Sequence, residues 1–285
     1  MRRTPPDDVI QPGRATAVAA AAVCLVLCGT NARADDAPAD AAFEVSAEEA
    51  TAGKEAARLE EATLRQQVAV LDRAVEQDPD NAELYDRRGA ARFKLNDIAG
   101  SLADFDRAIE IDPARAAGHW MRGITLYYAG RYAEGAAQFD AYQAVSTNDV
   151  ENSVWWYICA ARDMGHDKAR VGLLPVGFDR RVPLMEVFAL FQGKGTPADV
   201  LAAIERGQPS DEESRSRRFY GHLYLALYYD ALGDAARARH HIDRAAGPDY
   251  LPGYMGDVAR IHARRMAEAD GAAEKITNSA SEQDR

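Results

Sequence analysis

The sequence predicts an all-α fold, an α-solenoid of stacked helix–turn–helix repeats with an irregular middle and a capping C-terminal helix. Three observations predict it. Residue types recur 34 positions apart, the apolar residues between recurrences follow a helical rather than a strand period, and Gly, Asn or Pro stands wherever a helix would have to stop.

The recurrence is clearest over 82–115 and 116–149. Gly89 falls on Gly123, Leu95 on Ala129, Asn96 on Gly130 and Phe105 on Phe139; just ahead, Ala74 and Pro79 fall on Ala108 and Pro113. Each position has a physical reason. Gly inside a helix costs about 1 kcal/mol against Ala, a loss that is offset if a bulky side chain of the partner helix must reach the backbone at Gly89 and Gly123. Asn96 and Gly130 stand where the first helix turns into the second, and both residue types tolerate left-handed backbone. Ala108 is small, so that the next repeat packs closely. Pro113, like Pro79, cannot continue a helix and opens the next unit. Leu84, Tyr85, Ala91 and Phe93 then run down one helix, and Ile98, Leu102, Phe105 and Ile109 down its partner. A 34-residue period with these residue types resembles the tetratricopeptide (TPR) repeat.

Beyond residue 150 the phase persists but the repeats degrade, over 150–208. Met164-Gly165 and Leu232-Gly233 are turn sites, and Tyr228, Tyr229, Ala238, Ile242 and Ala245 rebuild one more unit over 211–248. Pro175, Gly177, Pro183, Gly193, Gly195 and Pro197 break the middle into shorter pieces, read as a helix pair over 182–192 and 197–206. An Ala- and Glu-rich helix over 46–62 precedes the first repeat. An amphipathic helix over 253–270 is the cap that an open stack needs, giving a solenoid spanning 46–270. The polar stretch 271–285 is expected to be disordered, and 35–45 to be a flexible leader.

The N-terminus has the layout of a secretory signal peptide over 1–34. Arg2, Arg3 and Arg14 supply charge, residues 15–28 are an uncharged apolar run, and Ala32-Arg33-Ala34 places small residues where a signal peptidase reads. Export to the periplasm is therefore expected. Attachment to the outer membrane would require lipidation at Cys28 or Cys24, where Leu27 and Val23 stand in place of the small residue that a lipobox wants. Cys159 alone remains beyond the leader. It cannot form an internal disulfide, and its apolar setting, Trp155-Trp156-Tyr157-Ile158-Cys159, marks a buried structural thiol. The formal net charge of −11 sets the chain against a nucleic-acid partner.

A closer likeness rests on Phe219-Tyr220-Gly221 through Leu227-Tyr228-Tyr229-Asp230-Ala231-Leu232-Gly233-Asp234. It rests also on the order of parts: two regular repeats, Trp155-Trp156, a broken centre at Pro183-Leu184, and a final repeat. Over roughly 60–265 the chain resembles the NlpI-like TPR lipoproteins of the Gram-negative envelope. That resemblance implies a dimeric periplasmic adaptor holding peptidoglycan hydrolases and a processing protease together.

No catalytic, cofactor-binding or metal-ligating residue is assigned. His119, His166, His222, His240, His241 and His262 are scattered, and adjacent His240 and His241 diverge on a helix. His222 and His262 could meet only through tertiary packing. Carboxylate pairs such as Asp104 and Asp106 are read as solvated faces. No nucleophile elbow or phosphate loop is present; Gly193-Lys194-Gly195-Thr196 lacks the upstream Gly. Binding is the better prospect. The first helix of each repeat lines the concave side, which offers Phe93, Trp120, Ile124 and Tyr127 as a protein-binding groove. Asp86 and Ala90 stand where carboxylate-clamping repeats carry Lys and Asn, so that clamp is absent. The sequence thus predicts a non-enzymatic periplasmic scaffold for proteins or peptides, with a role in envelope or secretion-complex assembly as the alternative.

Overall fold

The computed structural model describes residues 47–283, with side chains described over 57–272 and at Glu55. The signal segment over 1–34 and the leader over 35–45 lie outside the described residues. Among the described residues there are twelve α-helices, two single 3-10 turns and no strand. The helices are α1 (Ala47–Gln77), α2 (Ala82–Lys94), α3 (Ile98–Ile111), α4 (Trp120–Tyr128), α5 (Tyr132–Ala141), α6 (Val150–Met164), α7 (His166–Gly172), α8 (Leu184–Phe191), α9 (Pro197–Ile204), α10 (Asp211–Ala231), α11 (Ala235–Ala246) and α12 (Tyr254–Gln283). They pack as sequential antiparallel pairs, α2 with α3, α4 with α5, α6 with α7, α8 with α9 and α10 with α11, the arrangement of a TPR-like solenoid. None of these helices is long and apolar enough to cross a membrane.

Local chemistry explains the breaks. Asn96, Gly130, Gly165 and Gly233 each adopt positive φ, at 61°, 74°, 91° and 76°, at the turn inside their pairs. Helix starts are capped by short polar side chains: Asp97 accepts from the Gly100 amide, Asp149 from Glu151, Ser210 from Glu213 and Asp234 from Arg237. At α9, Thr196 and Asp199 cap one another reciprocally with Pro197 in the first turn. Pro113 opens a 3-10 turn, so that α4 begins only at Trp120.

Packing within each pair follows the repeat. A Cβ on Gly89 would lie 2.7 Å from the Phe105 ring, and one on Gly123 2.7 Å from the Phe139 ring. Both rings and Ala108 are buried. A polar tie repeats at the same spacing. Arg88 on α2 grips the buried Asp104 on α3, with Nη2–Oδ1 at 2.6 Å, and Arg122 on α4 reaches Gln138 on α5 at 3.1 Å. Asp104 also accepts from Arg92 and is only 2% exposed. It is therefore not the solvated carboxylate the sequence pattern implies; a buried charge needs partners, and two guanidiniums supply them. Asp106 pairs with Arg122 at 2.6 Å.

The structure differs from the sequence reading at both ends of the stack. α1 is one continuous helix of 31 residues that runs on to Gln77 rather than ending at residue 62, because nothing between residues 62 and 64 interrupts its period. α12 continues to Gln283, past residue 270 where order was expected to stop. Nor does α12 simply close the end of the stack. It packs on α11 and also reaches back to α2. Tyr254 stacks on Phe93 with centroids 5.0 Å apart, and Trp120 meets Tyr254 edge-on at 5.1 Å. Lys94 Nζ lies 2.9 Å from Asp257 Oδ2, Arg260 donates to Glu60 on α1 at 2.8 Å, and Arg265 donates to Asn96 Oδ1 at 3.3 Å and to the Tyr128 carbonyl at 3.2 Å. Its own Val258, Ala259 and Ile261 are buried. The C-terminal helix occupies the inner side of the repeats.

Candidate binding site

The helix that lies across the inner wall decides which of its residues remain accessible. Phe93, Ile124 and Tyr127 are buried. Phe93 is covered by Tyr254 and Tyr128. Tyr127 packs on Trp155 at 5.6 Å and donates to Asp230 Oδ2 on α10 at 3.2 Å. Asp230 also accepts from Arg162 at 2.8 Å, so one carboxylate ties α4, α6 and α10 together. Phe93 and Tyr127 thus belong to the core of the wall. Trp120 keeps part of its surface exposed.

Trp120 and Ile124 instead form one side of a cavity of about 230 Å³, against roughly 10–15 Å³ for a single water. Its other walls come from Phe139 on α5, Tyr142 just after it, Asp149, Glu151, Asn152 and Trp155 at the start of α6, Tyr220 on α10 and Met255 on α12. Trp120, Tyr142, Asp149, Glu151, Tyr220 and Met255 are half-buried and form the rim, whereas Ile124, Phe139, Asn152 and Trp155 are buried and form the floor. The cavity therefore sits between the first helices of successive repeats, with α12 as its edge.

The polar groups here are not equally satisfied. Asn152 Nδ2 donates to the Phe139 carbonyl at 3.0 Å, which fixes the amide with Oδ1 pointing elsewhere. That Oδ1 has no hydrogen-bond partner, and neither has Trp155 Nε1. Both residues are at most 3% exposed, and leaving a buried donor or acceptor unpaired costs about 1–3 kcal/mol. The carboxylates are tied to a single cation. Arg181 lies 3.0 Å from Asp149 Oδ1 and 2.6 Å from Asp179 Oδ2, and it also pairs closely with Glu151. Tyr224 donates to Glu151 Oε2 at 2.6 Å. Burial pushes the Glu151 carboxyl up from its ordinary value despite Arg181 and Tyr224. Burial also pushes Tyr220 up to about 12, helped by the Glu151 charge. For Asp179 burial acts the same way, but hydrogen bonds from Arg181 outweigh it and hold the carboxyl low.

Other polar clusters are closed. A cleft of about 340 Å³ between α1 and α12 is lined by charges that already pair, Lys94 with Asp257 and Arg260 with Glu60. His222 meets His241 rather than His262, Nδ1 to Nδ1 at 2.9 Å across α10 and α11. One ring must donate and the other accept, so the contact requires an uncharged acceptor. Burial lowers His222 to about 4; burial, followed by the proximity of His222, lowers His241 to about 3. His262 contacts Tyr128 at 3.2 Å and is lowered by burial to about 4. Cys159 lies under Gly135, where an added Cβ would sit 2.8 Å from its Sγ, and burial raises its thiol far above the ordinary value.

The cavity was not assembled from sequence. A signal for it existed: Trp155 occupies the Trp120 position of the next repeat once the turn glycine moves from Gly130 to Gly165. The contribution of Tyr220 and Met255 from distant helices left no such signal.

No protein-family model matches the chain, and no curated protein sequence matches it. Among solved structures, the chain is similar to the crystal structure of PilW, described as a widely conserved type IV pilus biogenesis factor. The identity is 19% and the TM-score 0.38, over 66% of this chain and 87% of that one. At those values the two helical backbones superpose only loosely.

Proposed function

We propose that the chain is a non-enzymatic TPR scaffold of the cell envelope that binds protein partners through the inner wall of its repeats. The observation that carries this is the half-open aromatic cavity at Trp120 and Trp155, rimmed by the half-buried Tyr142, Tyr220 and Met255. A partner segment seated there would bury that aromatic rim, as interface anchors do. The state of the reactive side chains supports a binding role over catalysis. Cys159 is held as a buried thiol, and His222, His241 and His262 are held neutral by burial.

The compartment follows from the signal-peptide pattern over 1–34. The likeness to the NlpI-like lipoproteins supports peptidoglycan hydrolases or a processing protease as partners. Trp120→Ala tests the reading. Trp120 touches Tyr254 at one edge and the cavity at another, so its loss costs about 1–2 kcal/mol of stability. Affinity capture from periplasmic extract, compared with melting temperature, separates the two roles. The expected result is a melting point lower by a few degrees and a partner yield reduced about tenfold. A large melting drop with unchanged yield per folded molecule refutes it.

A further inference from the structure

The rim of the cavity carries more negative than positive charge. Asp149, Glu151 and Asp179 share one guanidinium, that of Arg181, which lies beside the Tyr220 ring at 5.9 Å. Of the three carboxylates only Asp149 and Glu151 line the cavity, and one shared guanidinium leaves them with an excess of negative charge. They border the indole of Trp120 and the phenols of Tyr142 and Tyr220, whose ring faces attract cations. We propose that this cavity takes a basic side chain, lysine or arginine, presented by an extended peptide segment of a partner protein. The inference rests on the scaffold reading above and names the chemistry that its site selects.

The charge arrangement favours this occupant over the alternatives. An acidic side chain would meet the Asp149 and Glu151 carboxylates in the lining. An apolar side chain would fill the aromatic rim but would leave the excess charge as it is. A cation between the rings and the carboxylates neutralises the surplus in a partly dry site, where such contacts are strongest.

The test uses the full chain and three synthetic pentapeptides: acetyl-Gly-Gly-Lys-Gly-Gly-amide, the same peptide with Nε-acetyl-lysine, and the same with glutamate. Indole N–H signals in nitrogen-15 NMR spectra report binding, with the Trp155 signal assigned by Trp155→Phe. The lysine peptide is expected to shift the Trp120 and Trp155 signals while leaving Trp156 in place. The acetylated and glutamate peptides should bind about tenfold more weakly or not at all. Glu151→Gln keeps an acceptor for Tyr224 yet removes a charge, and should weaken the lysine peptide by a similar factor. Should that variant melt far below the wild type, Asp149→Asn gives the same readout, because Asn caps α6 as well as Asp does. Equal response to lysine and acetyl-lysine, or unchanged affinity in the folded variants, overturns the assignment. Partner capture that depends on Trp120 while the peptides bind alike would discard the basic side chain and keep the scaffold. Lysine-selective binding with no partner captured would do the reverse.

Discussion

Replacing Gly123 by Ala sets two effects of known size against each other. Ala favours the interior of α4 by about 1 kcal/mol over Gly. Its methyl would lie 2.7 Å from Cζ, 2.9 Å from Cε2 and 3.0 Å from Cε1 of Phe139, well inside ordinary contact. The ring cannot retreat freely, because Phe139 is buried and stacks on Trp155 at 6.3 Å. Overpacking a closed core costs about 1–3 kcal/mol, and contacts under 3 Å on a confined ring put Gly123 in the upper half of that range, so the steric effect outweighs propensity and Gly123→Ala destabilises by about 1–2 kcal/mol. For a domain of this size that is a melting drop of roughly 2–8 °C, measured by calorimetry or circular dichroism. Phe139→Leu shortens the opposing group, so the double variant should be more stable than the sum of the single losses by about 1 kcal/mol. Gly130→Ala is the control. Nothing lies within 4 Å of its added Cβ, and its cost comes from φ at 74° alone, about 1–2 kcal/mol that Phe139→Leu does not recover. A rise in stability for Gly123→Ala, or strict additivity with Phe139→Leu, refutes the close-approach reasoning.

Two further predictions concern buried titratable groups. His222 and His241 have folded values of about 4 and about 3 against an ordinary 6.5, so the unfolded chain takes up protons first as pH falls. Their contribution is complete above pH 6.5 and is lost progressively down to about pH 3, amounting to at most about 8 kcal/mol at about 1.36 kcal/mol per pH unit; urea midpoints at several pH values should show this slope, and His222→Asn with His241→Asn should flatten it. A slope unchanged in the double variant removes the pair from the account. Cys159, assayed in a Cys24→Ser, Cys28→Ser background, should not react with a thiol reagent at neutral pH until denaturant is added. Stoichiometric labelling of the native protein within minutes would show that the thiol is accessible.

The repeat pattern was legible because a 34-residue period fixes steric roles that only a few residue types fill. Gly89 and Gly123 beneath aromatic rings, and Asn96, Gly130, Gly165 and Gly233 at positive φ, are demands of the backbone itself. The short middle helices α8 and α9 were marked by their Pro and Gly punctuation. What covers the inner wall was not legible. The apolar stripe of α12 at Tyr254, Val258 and Ile261 is what any terminal cap would carry, and periodicity says which face is buried but not against what. The Arg88–Asp104 tie had a faint trace, since Arg88 and Arg122 share the repeat phase, but Asp104 became Gln138 in the next unit and the pattern was lost. The His222–His241 contact depends on the rotation of α10 against α11, which no spacing within either helix specifies.

The placement of α12 also bears on how the protein comes to be folded. His262 meets Tyr128 across 134 residues, Arg265 meets Asn96 across 169, and Arg260 meets Glu60 across 200. An open array can consolidate unit by unit as it emerges, but here the last helix made seals the aromatic wall of the first ones. Until it arrives, Phe93 and Trp120 lack the Tyr254 ring that packs on them, and a chain made from its N-terminus must keep those surfaces apart from their neighbours for the whole interval. A holding chaperone would meet that need, and folding would finish in one late step rather than in many small ones.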